Sequence, residues 1–493
     1  MGLLRFLVHP PQRLSPAAAQ RAYVAGPDLV PWSGTASIDG DELLIEREAS
    51  ESGNVYVPWQ VDGRGQLFLA TSTLMERSEP YVLAVELARG KLNQVRNQMA
   101  DWQAVGLSVS DSLSEALKRA VTLFSQAVTQ QNDAERASEA AEEALAAALI
   151  ASDELMTCYT QQALAARHRQ SKRLPIHLAI NLGHEPLETA TARHVASAFN
   201  AALVPLSWRE AEANEGEYRW DNYDQHLQWC QTHKLGVIGG PLVQLDGRGV
   251  PDWLYLWEGD FDNLMSCITD YVETVVARYR GRVAAWHCVA GMHAGRALSL
   301  GEEEQLRLVV GCIETVSRID PETPALIRFR HPWAEHMRRE QMDLSPLHFA
   351  DALVRTGLQL GGIALELNVA YEDGAARDVL DFGRLIDVWS CLGVPLHLTL
   401  VVPSESTADP LARQSAPWSD GDQAAAWSAQ WQQDFVERLV PALLSKPAVG
   451  AIIWNELSDA APHDLPWGGM FAASGKPKPA LASLALLRKR HLA

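Results

Sequence analysis

Gly362-Ile-Ala-Leu-Glu-Leu-Asn368 is an apolar run of strand length, followed by an amphipathic stretch that carries Trp389 and then by a second short run containing Leu398-Thr399-Leu400. Strand-length runs separated by roughly 10 to 15 residues of helical pattern mark βαβ units with parallel strands. From Leu174 to the C-terminus this alternation recurs about eight times, the number that closes a (β/α)8 TIM barrel. Residues 174–493 are therefore expected to form an α/β barrel, with its chemistry at the C-terminal ends of the strands.

Upstream the texture differs. Residues 1–78 show short alternating runs, such as Gly53 to Gln60 and Gln66 to Ala70, broken by the turn signals Asp39-Gly40, Ser52-Gly53-Asn54 and Asp62-Gly63-Arg64-Gly65. This pattern predicts a small antiparallel, sandwich-like β domain, a shape shared by carbohydrate-binding modules and by many other small β domains. Trp32 and Trp59 could stack on a sugar ring or fill its core. Residues 79–173 read as a helical connector: Val82 to Trp102 is amphipathic, Ser112 and Glu115 have capping-box spacing, and Ala134 to Ser152 is alanine- and glutamate-rich. The thin apolar stripe of that last run would pack on a neighbouring helix or on the barrel; a homo-oligomer formed through this segment is the alternative. Arg167-His168-Arg169 and Lys172-Arg173 read as a solvated linker.

The bulk numbers exclude some partners. The chain has 493 residues and a formal charge of −19, which repels nucleic acid and anionic membrane. No apolar run approaches the ~20 residues of a membrane span. The opening Met1-Gly-Leu-Leu-Arg-Phe-Leu-Val-His-Pro10 is too short an apolar run for a leader and reads as a first strand. Six cysteines are scattered without C-x-x-C pairing, as expected of buried free thiols in a reducing, cytoplasmic setting. No cofactor signature is present. Asp246-Gly247-Arg248-Gly249 lacks the lysine of a phosphate loop, and His287, Cys288 and His293 match no common zinc spacing.

Several stretches of the barrel half carry a family resemblance. Trp208 is followed by Gly216, Tyr218, Trp220, Asp221 and Asp224. The third strand reads Val237-Ile-Gly-Gly-Pro-Leu-Val243 and leads to Pro251 and Trp253. Gly362 to Asn368 and the closing Gly475-Lys-Pro-Lys-Pro-Ala480 complete the set. Together these resemble glycoside hydrolase family 10, the xylanase family. The resemblance implies the (β/α)8 fold, an oligosaccharide or glycoconjugate partner and, where the site is intact, retaining O-glycoside hydrolysis of the endo-1,4-β-xylanase kind. The departures fall at the site. Trp286-His-Cys-Val-Ala-Gly291 puts Gly291 where the family has its acid/base glutamate, and Leu398-Thr399-Leu400 puts Leu400 where it has its nucleophile. Gly240, Asn368, Val204 and Ser207 replace further sugar-contact residues. A retaining mechanism needs two carboxyl groups roughly 5 Å apart, and glycine and leucine supply neither.

Other carboxylates are candidates to replace that pair. Glu366 lies near the top of the sixth strand, and Glu456 follows Ile452 and Trp454 at period two at the end of the eighth. If both reach the barrel axis they stand roughly 6 to 10 Å apart, closer to inverting geometry. The structural alternative is that Glu366 is ion-paired with Arg328 or Arg330 of the adjacent strand. Glu335, after the fifth strand, is a further candidate, although simple loop exposure accounts for it. His287, His397 and His463 could line the site, pack outward or be solvated. Of the 16 tryptophans, 13 lie in the barrel half. Trp208, Trp253, Trp333, Trp454 and Trp467 are candidate sugar platforms with Glu335 and Asn368 beside them, and Trp257, Trp286 and Trp418 also sit near strand ends. Three functions follow: a non-catalytic carbohydrate-binding or scaffold barrel, a glycosidase with relocated acids at Glu366 and Glu456, and a structural or protein-interaction barrel.

Overall fold

The computed structural model describes residues 2–48, 50–292, 297–338, 344–371, 376–414 and 427–492. Seven strands open the chain: β1 (Gly2–Leu7), β2 (Tyr23–Ala25), β3 (Gly34–Asp39), β4 (Glu42–Arg47), β5 (Gly53–Val61), β6 (Gly65–Leu74) and β7 (Tyr81–Val82). They form one sheet in the order β3-β4-β1-β7 and a second in the order β2-β5-β6. Alternation makes them: Val55, Val57, Trp59 and Val61 of β5 are all buried, on the face opposite the half-buried Asn54, Tyr56 and Gln60. Trp59 is fully covered and donates its Nε1–H to Glu142 at 2.9 Å, so it is a core residue and offers no face to a sugar.

Four helices follow the opening strand: α1 (Pro16–Ala19), α2 (Leu83–Ala104), α3 (Asp111–Thr129) and α4 (Ala134–Gln170). The N-cap of α3 is Ser110, whose hydroxyl accepts from the Leu113 N–H at 3.2 Å, two residues ahead of the expected Ser112. Helix α4 has 37 residues, about 55 Å at the usual rise, and continues far past the expected end at Ser152. Arg167-His168-Arg169 form its last turn rather than a linker, and Arg167 donates to the carbonyls of Leu444 and Lys446. The buried residues Ala137, Ala141, Ala144, Ala148, Ala151 and Leu155 repeat at alternating spacings of four and three. This small-residue seam lets α2 and α3 pack closely, so the stripe is used within the chain.

The barrel strands are β8 (His177–Asn181), β9 (Ala201–Val204), β10 (Gly236–Gly239), β11 (Val243–Gln244), β12 (Ala285–Ala290), β13 (Ala325–Phe329), β14 (Leu360–Asn368), β15 (Leu396–Val401) and β16 (Val449–Trp454). All pair in parallel, β16 joins β8, and β10 joins β12. With β11 extending the position of β10 against β12, this is a closed eight-position barrel. Around it lie α5 (Thr189–Ala198), α6 (Trp208–Ala211), α7 (Asp221–Thr232), α8 (Phe261–Tyr279), α9 (Glu302–Ile319), α10 (Pro346–Arg355), α11 (Val379–Ser390), α12 (Ala429–Ser445) and α13 (Pro479–His491). Among the described residues no helix is long and apolar enough to cross a membrane.

Strand phase positions the site. Ala179, Ala201, Leu203, Ile238, Ala451 and Ile453 form a separate cluster that fills the barrel interior. Leu398, Leu400, Ile452 and Trp454 belong to the main core together with helix residues such as Phe435 and Val440. The odd-numbered residues of β15 and β16 therefore face the axis.

Candidate functional site at the barrel mouth

Gly291 and Leu400, the positions that the resemblance aligns with the family's glutamates, come first. Gly291 follows β12 with φ +79, and a Cβ there would meet the backbone of Leu245 at 3.2 Å. The left-handed backbone accounts for the glycine. Leu400 is 1% exposed, is paired with Leu367 and Trp454, and lies in the phase that packs toward the helices. Its neighbour Thr399, in the interior phase and fully covered, stands opposite Glu366 and Ile453. Above Thr399, Val401 packs with Tyr371 and Leu465, an apolar plug at the end of β15.

Beside the plug lies a polar floor. Arg328 of β13 points inward with its Nε 2.7 Å from Glu366 Oε1, a charge contact that is not aligned as a hydrogen bond. Glu366 Oε2 accepts weakly from Asn368 Nδ2 at 3.4 Å, and Arg328 Nη2 donates to Asn455 Oδ1 at 3.1 Å. Asn181 Nδ2 reaches the same oxygen at 3.4 Å. Asn181, Glu366, Asn368 and Asn455 are half-buried. Strands β8, β13 and β14 and the residue just after β16 thus contribute amides and one compensated ion pair, and Glu366 has the partner that its burial requires.

Deeper in the barrel, His287 Nε2 and His397 Nδ1 are 3.1 Å apart. Both imidazoles are held in the neutral form: burial pushes His287 well below its ordinary value, and burial together with the nearby His177 takes His397 to about 3. His397 faces inward because Leu398 and Leu400 face outward, which decides between the two orientations left open for it in the sequence.

Glu456 belongs to a different network. Its Oε1 accepts from the backbone N–H groups of Asp464 (3.2 Å) and Leu465 (3.0 Å), and its carboxyl is pushed up to about 8 by burial and by the charge of Asp464. Its polar contacts run to this loop, whereas those of Glu366 run to Arg328 and Asn368. Ile452 and Trp454 face the helices, and the interior phase is continued by Asn455. The chain after β16 is instead fastened by Glu456 and by a buried set nearby. His463 pairs with Asp409 at 3.0 Å, Asp409 also accepts from the Trp467 N–H, and Lys478 lies 2.5 Å from Asp459. His463 is thus a buried hydrogen-bond partner of Asp409, not a solvated turn residue.

Burial also sorts the aromatic candidates. Trp208 is fully covered, stacked on Tyr271 at 4.5 Å and hydrogen-bonded to Glu212, and Trp454 is 2% exposed with its Nε1–H on the Gly468 carbonyl. Neither presents a ring face, because both faces are packed in the core; their expected role as sugar platforms is corrected to a structural one. Trp286 is likewise buried on Asp320. Trp253, Trp257, Trp333 and Trp467 are half-buried, and Trp467 donates its Nε1–H to the Thr407 carbonyl. His293 and Trp418 lie outside the described residues.

Glu335 is not on an exposed loop. It is 1% exposed and ion-paired with Arg377, itself 1% exposed. Arg377 also donates to the Tyr23 hydroxyl at 3.0 Å, and its guanidinium lies 4.1 Å from the Trp333 ring centre and 5.1 Å from that of Phe68. The Phe68 N–H donates to Ala376 O at 2.8 Å. Next to this seam, Lys91 of α2 pairs with Asp378 at 2.5 Å. The loop before α11 is therefore bound to the N-terminal sheets and to α2. No sequence spacing signals this, since Tyr23 and Arg377 are 354 residues apart.

With this geometry in view, comparison with known proteins gives one consistent answer. The family model described as glycosyl hydrolase family 10 matches residues 174–297. The chain resembles the family 10 glycoside hydrolases. Endo-1,4-beta-xylanase B of Thermotoga neapolitana is 26% identical over 125 residues, and endo-1,4-beta-xylanase 3 of Hypocrea jecorina is 29% identical over 84 residues. These matches cover 24% and 17% of this chain and span only 36% and 23% of the relatives' own length. The crystal structure of xylanase 10B from Thermotoga petrophila in complex with xylobiose superposes with a TM-score of 0.50 at 17% identity, over 66% of this chain and 97% of that one. The barrel fold thus extends further along the chain than the family signal in sequence, which the model places on the first four strand positions.

Proposed function

We propose that this protein is a family 10-like barrel that binds an oligosaccharide or glycoconjugate without retaining hydrolysis, as a carbohydrate-binding or scaffold protein. One observation carries the reading. The positions of the catalytic pair are a side-chain-free left-handed turn at Gly291 and a core-facing leucine at Leu400, while the glutamate on the mouth floor is neutralised by Arg328. What remains is an amide-rich floor of Asn181, Asn368 and Asn455, groups suited to sugar hydroxyls. The free thiols of all six cysteines support a reducing, cytoplasmic setting. The test is calorimetric titration with neutral xylo-oligosaccharides alongside a turnover screen on aryl-glycosides. Binding without release of reducing ends, weakened about tenfold by Asn368→Ala, is the expected result. Turnover abolished by Glu366→Gln or Glu456→Gln overturns the reading.

A second reading, hydrolysis with relocated acids, is favoured by one feature: a carboxyl raised to about 8 stays protonated at neutral pH, as a general acid must. Against it, Glu456 is almost fully covered and bonded to loop amides, which is an adequate structural account of its position.

A further inference from the structure

We propose that a cleft on the barrel wall, between α7 and α8 and separate from the mouth, binds a saccharide that carries a carboxylate, of the uronic acid type. The cleft has a volume of about 730 Å3. Gln225, Gln228, Trp229 and Thr232 line one side of it, spaced at i, i+3, i+4 and i+7, so they form a single stripe along α7. Two amides, a hydroxyl and a half-buried indole are the groups that hold a pyranose: the ring stacks on the aromatic face and the amides and hydroxyl take its hydroxyls. Trp229 is held in place by His233, whose ring lies 4.7 Å away and whose Nδ1 contacts the Trp229 carbonyl at 2.9 Å.

The opposite side supplies charge. Arg278 and Arg282, from the end of α8 and just beyond it, face the stripe. Asp224 offsets Arg278 through a 2.5 Å contact. Arg282 is exposed, next to the likewise exposed Arg280, with Lys234 at the end of α7. A concentration of cations on a chain of net charge −19 selects an anion locally while the rest of the surface repels it. Arginine matches a carboxylate through two parallel hydrogen bonds. An indole platform with sugar-type hydrogen-bonding groups favours an acidic sugar over a bare phosphate.

The experiment uses the full chain and two probes: a xylo-oligosaccharide bearing one glucuronic acid, and the neutral oligosaccharide of equal length. The acidic probe is expected to bind more tightly than the neutral one, with an advantage that shrinks as salt is raised. Arg282→Gln and Trp229→Ala are each expected to weaken the acidic probe at least tenfold while leaving the neutral probe's binding at the mouth unchanged. Arg282 is exposed, so that variant keeps the test meaningful if Trp229→Ala fails to fold. The proposal is overturned if the acidic probe does not bind, if neither substitution changes its affinity, or if inorganic phosphate competes as well as the free uronic acid does. The mouth reading stands or falls separately, on the neutral probe and Asn368→Ala.

Discussion

Two arginine–glutamate pairs stand near the C-terminal end of the barrel, and their surroundings separate scaffold from site. Arg377 and Glu335 are both 1% exposed, enclosed by Tyr23, Phe68 and Trp333. Arg328 and Glu366 make the same kind of contact, but the Glu366 side chain is 14% exposed and its other neighbours are half-buried amides. The first pair is completed only by residues from the N-terminal sheets and joins two parts of the chain. The second belongs wholly to the barrel and remains within reach of a ligand. Identical side-chain chemistry therefore gives no indication of role; the degree of desolvation and the origin of the neighbours do.

This contrast can be broken or sharpened by substitution. Glu335→Gln should cost about 3–5 kcal/mol in urea unfolding, because it leaves the Arg377 charge buried and uncompensated. Adding Arg377→Met should recover most of that loss. A cost for Glu335→Gln below about 1 kcal/mol would remove the distinction between the two pairs. Glu456 offers a buried carboxyl to which, among the described residues, no cationic partner is bonded. Because its folded value is about 8, above the ordinary carboxylate value, the folded state holds the proton more tightly than the unfolded chain. Stability should then fall as pH rises from about 4.5 to about 8, by about 2–4 kcal/mol, and Glu456→Gln should flatten that slope. Arg328→Met should cost less than Glu335→Gln, about 1–3 kcal/mol, since water partly solvates Glu366, and it should change neutral-oligosaccharide affinity, which Glu335→Gln should not. At the small end, Arg209 and Asp252 lie 2.5 Å apart but on the surface, so Asp252→Asn should shift stability by less than about 1 kcal/mol. The ranking of these four tests whether environment, not contact distance, sets the energy.

Some of this was legible in the residues. Period-two and helical patterns identified the barrel, the small β region and the helices, because burial acts on each element locally. Ion pairing of Glu366 was also readable, since a buried glutamate needs a partner and Arg328 sits on the next strand. The phase of the last strands was not. The pairing of β15 with β16 shifts register between Leu396 and His397, and that of β12 with β13 shifts between His287 and Val289. A one-residue slip turns every side chain to the opposite face. The apolar stripe of α4 and its packing on a neighbouring helix were legible, but its sustained 4-3 spacing was not: alanine carries little apolar contrast, so the seam emerges only once the partner helices are in place.

By itself, then, the sequence determined which segments become strands and helices, the resemblance to family 10 and the absence of carboxylates at Gly291 and Leu400, all of which rest on local pattern and residue identity. Only the tertiary structure decided which charged groups are scaffold and which can meet a ligand. Desolvation and partner choice depend on residues hundreds of positions apart, as when Tyr23 and Lys91 complete the environment of Arg377 and Asp378.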